Sequence, residues 1–235
     1  INHLLLTNLK PFISGFDLTG QEDKFNPGEF RKNFSQIFES CMPITIHAGE
    51  ETPSKYIWEA AYELNADRIG HGLSLAKLKT NNTMQLMNRF RDFNKCVELC
   101  PTSNFLTQKG MKYYKNISNK NSYVKYASCK PGATDSYLGD NYPTGVFLDQ
   151  KLNFTICTDD PAIQDSSLTK EYLWASMMTK RGKADHTKIG ITKWEALQII
   201  YNGFNYAFLP DDLKTLLLSR TENMVFDILE SSRVS

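Results

Sequence analysis

Met42-Pro43-Ile44-Thr45-Ile46-His47 is a short apolar run that stops at Ala48-Gly49-Glu50. Thr52-Pro53 then opens a segment in which Ile57, Ala60, Ala61 and Leu64 recur at helical spacing, with the proline at a first helical position. Strand followed by helix, repeated along a chain, is the pattern of a parallel sheet wrapped by crossover helices.

The pattern extends in both directions. Upstream, Pro11-Phe12-Ile13-Ser14-Gly15-Phe16-Asp17-Leu18 reads as a strand, and Asn26-Pro27-Gly28-Glu29 supplies an N-cap, a proline and an acid for a helix running toward Ser40. Downstream, Asp67-Arg68-Ile69-Gly70-His71 is a third strand, with helical stretches at 74–79 and 81–93. Lys95-Cys96-Val97-Glu98-Leu99-Cys100 is a fourth, ended by Pro101, which has no N–H to give a sheet ladder. Leu152-Asn153-Phe154-Thr155-Ile156-Cys157 is the fifth, and helices follow at 168–180, 192–207 and 210–230. The fold class expected is α/β.

Reactive residue types fall just after these strands: Asp17 and Gly20, His47 and Glu50, His71, Ser103 and Asn104, then Asp159 and Asp160. The carboxyl ends of parallel strands point to one face, so groups distant in sequence converge there. Of the 4 histidines, two follow strands in small-residue contexts, His47-Ala48-Gly49-Glu50 and Gly70-His71-Gly72, whereas His3 and His186 do not. Two histidines with Glu50 and the Asp159-Asp160 doublet point to metal-assisted hydrolysis.

Composition narrows the partners. In 235 residues, 27 Lys and Arg balance 26 Asp and Glu, so no global field argues for nucleic acid or an acidic membrane, and the substrate expected is small. No run approaches the roughly 20 apolar residues of a spanning helix. The 5 cysteines form no Cys-x-x-Cys pair, and free thiols suggest a reducing, cytoplasmic compartment. The start, Ile1-Asn2-His3, has no initiator Met, so a missing beginning is expected. The one candidate insertion, 107–142, carries Lys109, Lys112, Lys115, Lys120, Lys125 and Lys130; it reads as a solvated surface excursion, or else as a lid or phosphate-binding patch.

Taken in order, Gly15-Phe16-Asp17-Leu18-Thr19-Gly20, His47-Ala48-Gly49-Glu50, Arg68-Ile69-Gly70-His71-Gly72, Glu98-Leu99-Cys100-Pro101-Thr102-Ser103-Asn104 and Thr158-Asp159-Asp160-Pro161 resemble the adenosine deaminase family, Thr19 being a mild departure. The resemblance implies a TIM-type (β/α)8 barrel, of which residues 1–235 would supply about five of the eight strands, the carboxyl-terminal portion.

It further implies Zn2+ held by His47 and Asp159, with His71 taking the proton of the attacking water and steadying its oxygen. Glu50 would protonate the purine ring, Asp160 would bind the five-membered ring, and the Gly20 N–H would meet the far ring nitrogen. The family's His-x-His pair occurs nowhere in this sequence. An amino-terminal segment is therefore expected, as a separate chain or as further sequence, and this chain alone is expected to be inactive. The activity implied is hydrolysis of adenosine to inosine and ammonia. The alternatives are an AMP-type nucleotide deaminase, or an inactive nucleoside-binding relative.

Overall fold

A computed structural model describes residues 10–76, 81–107, 142–181 and 188–231. Its centre is a sheet of five parallel strands: β1 (Phe16–Leu18), β2 (Ile44–Ala48), β3 (Arg68–His71), β4 (Cys96–Leu99) and β5 (Asn153–Ile156). The spatial order is β1-β2-β3-β4-β5, so every strand pairs with the next one in sequence. A doubly wound sheet would reverse direction at a switch point. This one does not, and the uninterrupted order is the arc of a (β/α)8 barrel.

Two outer helices follow the first two strands, and both have identifiable starts. A 3-10 turn, Pro27–Phe30, is capped by Asn26, whose side chain accepts the Glu29 N–H, and leads into α1 (Arg31–Glu39). After β2, α2 (Ser54–Trp58) begins behind Pro53 and passes into a π-helical turn, Glu59–Glu63, closed by the Leu64 N–H donating to the Glu59 carbonyl. The wider turn keeps Ile57, Ala60, Ala61 and Leu64 all buried, as their spacing predicts. Next come α3 (Asn81–Asp92), α4 (Pro101–Phe105), α5 (Thr144–Asp149), α6 (Pro161–Gln164) and α7 (Leu168–Met178). A small antiparallel pair, β6 (Lys180–Arg181) with β7 (Lys188–Ile189), precedes α8 (Lys193–Asn205) and α9 (Asp211–Ser231). Thr192 and Glu195 form a reciprocal capping box that starts α8.

The core lies between the sheet and its helices. Ile44, Ile46, Ile69, Val97, Leu99, Phe154 and Ile156 are buried there with Ile37, Phe90, Phe147 and Ile199. Alternate strand residues face the other way, and this second face is polar. Thr45 donates to Glu98 at 2.8 Å, and Glu98 pairs with Arg68 at 3.0 Å. The Arg68 guanidinium lies 3.6 Å from the centre of the Phe208 ring and donates to the Tyr206 carbonyl, tying the turn after α8 to the amino end of β3.

The first strand is shorter than its apolar run. The first strand was expected over 11–18, but Lys10–Phe12 is a 3-10 turn and only Phe16–Leu18 pairs with β2. Pro11 fixes its own φ and lacks a donor, which suits a turn better than a ladder. The proposed insertion lies outside the described residues, except for its ends at Thr107 and Tyr142, as do His3, His186 and the end of the 74–79 stretch.

Candidate active site

The carboxyl ends of all five strands carry polar groups to one side of the sheet, and three backbone features shape them. Gly49 is left-handed at φ +78°, and a Cβ there would sit 2.5 Å from both the Ile57 Cδ1 and the Ser74 Oγ. At Gly70 a Cβ would come within 2.9 Å of the His47 ring, so the glycine beside His71 makes room for the imidazole on the neighbouring strand. His71 and Asp159 themselves adopt left-handed φ of 64° and 57°. Such backbone costs of order 1–3 kcal/mol in a non-glycine residue and concentrates at functional positions.

His47, on β2, has its Nε2 3.5 Å from the Asp17 carboxylate and its Nδ1 3.2 Å from the His71 Nε2. The two rings meet edge to face with centroids 4.9 Å apart. The Thr19 hydroxyl lies 3.4 Å from the same Nδ1, so the residue that departs from the family's motif touches the site. Burial lowers the pKa of His47, but the hydrogen bond and charge of Asp17, followed by the charges of Asp159 and Glu98, outweigh it and leave the pKa raised. His71 moves the opposite way, held down by burial and then by His47. One positive charge suits this pair better than two.

Glu50 follows β2 and points at His71, with Oε2 3.6 Å from Nε2. Burial raises its carboxyl above the ordinary range, against hydrogen bonds donated by Thr107 and Asn104. Asn104 is fully buried in α4 and joins the acid to the imidazole. Its Nδ2 lies 3.2 Å from Glu50 Oε1 and 2.9 Å from His71 Nδ1. Its Oδ1 accepts from the Cys100 N–H at 3.3 Å and the Tyr142 hydroxyl at 3.0 Å. The amide is thereby oriented, and the Nδ1 of His71 faces a donor.

His71, Cys100 and Asp159 place one imidazole nitrogen, one sulfur and one carboxylate oxygen within 4.8 Å of one another. Imidazole, thiolate and carboxylate are the donor kinds that zinc accepts, so these strand ends fit a metal ion. His47 lines the same cavity as His71, Cys100 and Asp159 but is not part of that three-donor group. It also lines an adjoining cavity with Gly20, Thr19 and Glu22. Gly20 is exposed at φ +149°, with nothing within 4 Å of a built Cβ. Asp160 is exposed and occupies the N-cap position of α6.

The structure therefore brings together Glu50, His71, His47 and Asp159, and sets Gly20 and Asp160 at the margins. It adds Cys100, Asn104, Thr107, Tyr142 and Glu22, to which the sequence reading gave no role. Asn104 and Cys100 had a signal, since both stand in the motif after β4.

A family model described as adenosine deaminase matches residues 2–116. The adenosine deaminase of Yersinia enterocolitica is 31% identical over 211 residues, which are 90% of this chain and 51% of that protein. The chain spans about half the length of the curated relatives it matches. An adenine deaminase from Arthrobacter aurescens superposes with a TM-score of 0.65 at 21% identity, over 91% of this chain and 53% of that one. An amidohydrolase from Burkhoderia ambifaria, solved with bound Zn, gives 0.64 at 18% identity, over 93% and 51%. These last two likenesses speak for the fold, and the arc of five strands corresponds to about half of each neighbour. Motifs, fold and relatives agree: the chain belongs to the adenosine deaminase family.

Proposed function

We propose that this chain carries the acid-base and substrate-binding groups of an enzyme that hydrolyses adenosine to inosine, and 2'-deoxyadenosine to 2'-deoxyinosine, with release of ammonia, in purine salvage. The observation that carries this reading is the partly buried Glu50 carboxyl, raised in pKa and joined through Asn104 to His71. A proton donor working near neutral pH must keep its proton there, and burial is what holds it on.

In this reading His47 and Asp159 are the zinc ligands, and the donors gathered from β3, β4 and β5 support a metal between these strand ends. Zinc supplies the Lewis acidity that makes water a competent nucleophile near neutral pH. Glu50 donates its proton to the purine nitrogen next to C6. The Asn104 Nδ2 donates to the His71 Nδ1, which leaves the ring hydrogen on Nε2. In that tautomer His71 steadies the attacking oxygen as an N–H donor; taking the water's proton needs the other tautomer. The Gly20 N–H binds the far ring nitrogen from a position open enough to admit it, and Asp160 binds the five-membered ring.

We further propose that a segment bearing the His-x-His pair completes the metal shell and the barrel, in keeping with the half-length match to relatives. The described cysteines, Cys41, Cys96, Cys100 and Cys157, are free thiols, which supports a cytoplasmic setting. Among the described residues no helix is long and apolar enough to cross a membrane.

The test is Glu50→Gln in the complete protein. Turnover of adenosine should fall by about 10²–10⁴-fold, the scale of general acid catalysis, with zinc content unchanged. Retained turnover rules out the proton-donor role. Parallel assays with adenosine monophosphate separate nucleoside from nucleotide, and a preference for the monophosphate would reassign the substrate.

A further inference from the structure

Glu22 lies two residues beyond Gly20, in the loop after β1, and its carboxylate reaches across to the loop after β2. Its Oε2 accepts the Gly49 N–H at 3.0 Å, the Glu50 N–H at 3.2 Å and the Thr52 hydroxyl at 2.5 Å, and its Oε1 accepts the Glu50 N–H at 3.4 Å. Thr52 is buried, and its Oγ also accepts the Gly49 N–H at 3.1 Å. Two successive amides converging on one anion form a backbone nest, which holds a carboxylate more firmly than a neutral acceptor.

The same loop is fixed from its inner side. Gly49 is left-handed and packed so closely on Ile57 and Ser74 that a Cβ would collide with both. The peptide carrying Glu50 is thus clamped between packing on one side and Glu22 on the other. The Glu50 side chain leaves that peptide toward Asn104, Thr107 and His71.

We propose that Glu22 is a positioning residue: it sets the backbone from which Glu50 is aimed, and it ties the Gly20 loop to the Glu50 loop. The proposal rests on the proton-donor reading of Glu50 given above. An acid displaced by about 1 Å loses roughly 10²-fold in rate, so the clamp matters to the chemical step more than to substrate affinity.

The experiment compares Glu22→Ala and Glu22→Gln in the complete, zinc-loaded protein, with kcat and KM for adenosine and amide hydrogen exchange at Gly49 and Glu50. Glu22→Ala should lower kcat about 10- to 100-fold, leave KM within about threefold, and speed exchange at both amides. Glu22→Gln should keep kcat within about fivefold of wild type, because its amide oxygen can accept the Glu50 N–H and the Thr52 hydroxyl on its two lone pairs, while the Gly49 N–H keeps the Thr52 Oγ. If the alanine variant does not fold, Glu22→Met keeps the bulk without the acceptors and takes its place.

Wild-type kcat and unchanged exchange in Glu22→Ala or Glu22→Met overturn the proposal. So does Glu22→Gln as slow as Glu22→Ala with its amides still protected, since charge and not placement would then be at work. A wild-type protein that releases no ammonia from adenosine would count against the proposed function, and exchange at the two amides would still decide whether Glu22 clamps the loop.

Discussion

The two faces of the sheet are built from the same strands, a residue apart. Toward the helices stand Ile44, Ile46, Ile69, Val97, Leu99, Phe154 and Ile156, all buried among other apolar side chains. On the opposite face Thr45, Arg68 and Glu98 bond to one another, and His47 meets Asp17 and His71. Side chains alternate along a strand with period two, so neighbours in sequence serve separate ends. Residues of the first face hold the fold, those of the second line the candidate site, and substitutions one position apart should give unlike phenotypes.

Four experiments can break or sharpen that contrast. The largest effect is expected from Asp159→Ala, which should lose metal on dialysis and with it all turnover; elemental analysis checks this, and unchanged zinc would remove Asp159 from the ligand set. Next is Gly70→Ala. The new methyl would press on the His47 ring from a distance of 2.9 Å, so turnover should drop by about 10- to 100-fold in steady-state assays.

Phe154→Ala, on the helix face, should cost about 3–5 kcal/mol in urea denaturation while the folded fraction keeps its kcat. A fall in kcat at matched folded fraction would break the division between faces.

The smallest effect concerns stability and pH. Burial raises the folded-state pKa of Glu50 above its unfolded value, so its contribution is fully present below the unfolded pKa and is lost as pH rises through the folded one. Glu50→Gln should therefore melt close to wild type in acid and slightly above it at alkaline pH. A variant that is less stable at every pH would contradict the sign.

Much of this was legible in the sequence, for physical reasons. The convergence of His47, His71 and Asp159 was readable because each stands at or just beyond the carboxyl end of a strand, and parallel strands bring those ends together whatever lies between. Gly70 was readable as a small neighbour of His71, but that it makes room for the His47 ring emerges only from the strand register. Glu22 was not, because its bonds to Gly49 and Thr52 depend on the shapes of two loops, and loop shape has no periodicity to read. Asn104 stood in a motif, yet its bridge between Glu50 and His71 appears only once α4 is turned by Pro101 at its start. The first strand was overread because Pro11-Phe12-Ile13 is apolar, and apolar character alone does not supply ladder partners.

The uninterrupted strand order also bears on how the chain finds its fold. Neighbours in space are neighbours in sequence, so β1 to β4 can pair one after another as loops of similar length close. The connection from Leu99 to Asn153 is roughly twice as long as the others, but each doubling of a flexible loop adds only about 0.6 kcal/mol of closure entropy. Pairing β5 on β4 is therefore only slightly costlier to close than the three pairings before it, and the order in which the strands are made is the order in which they can join the sheet.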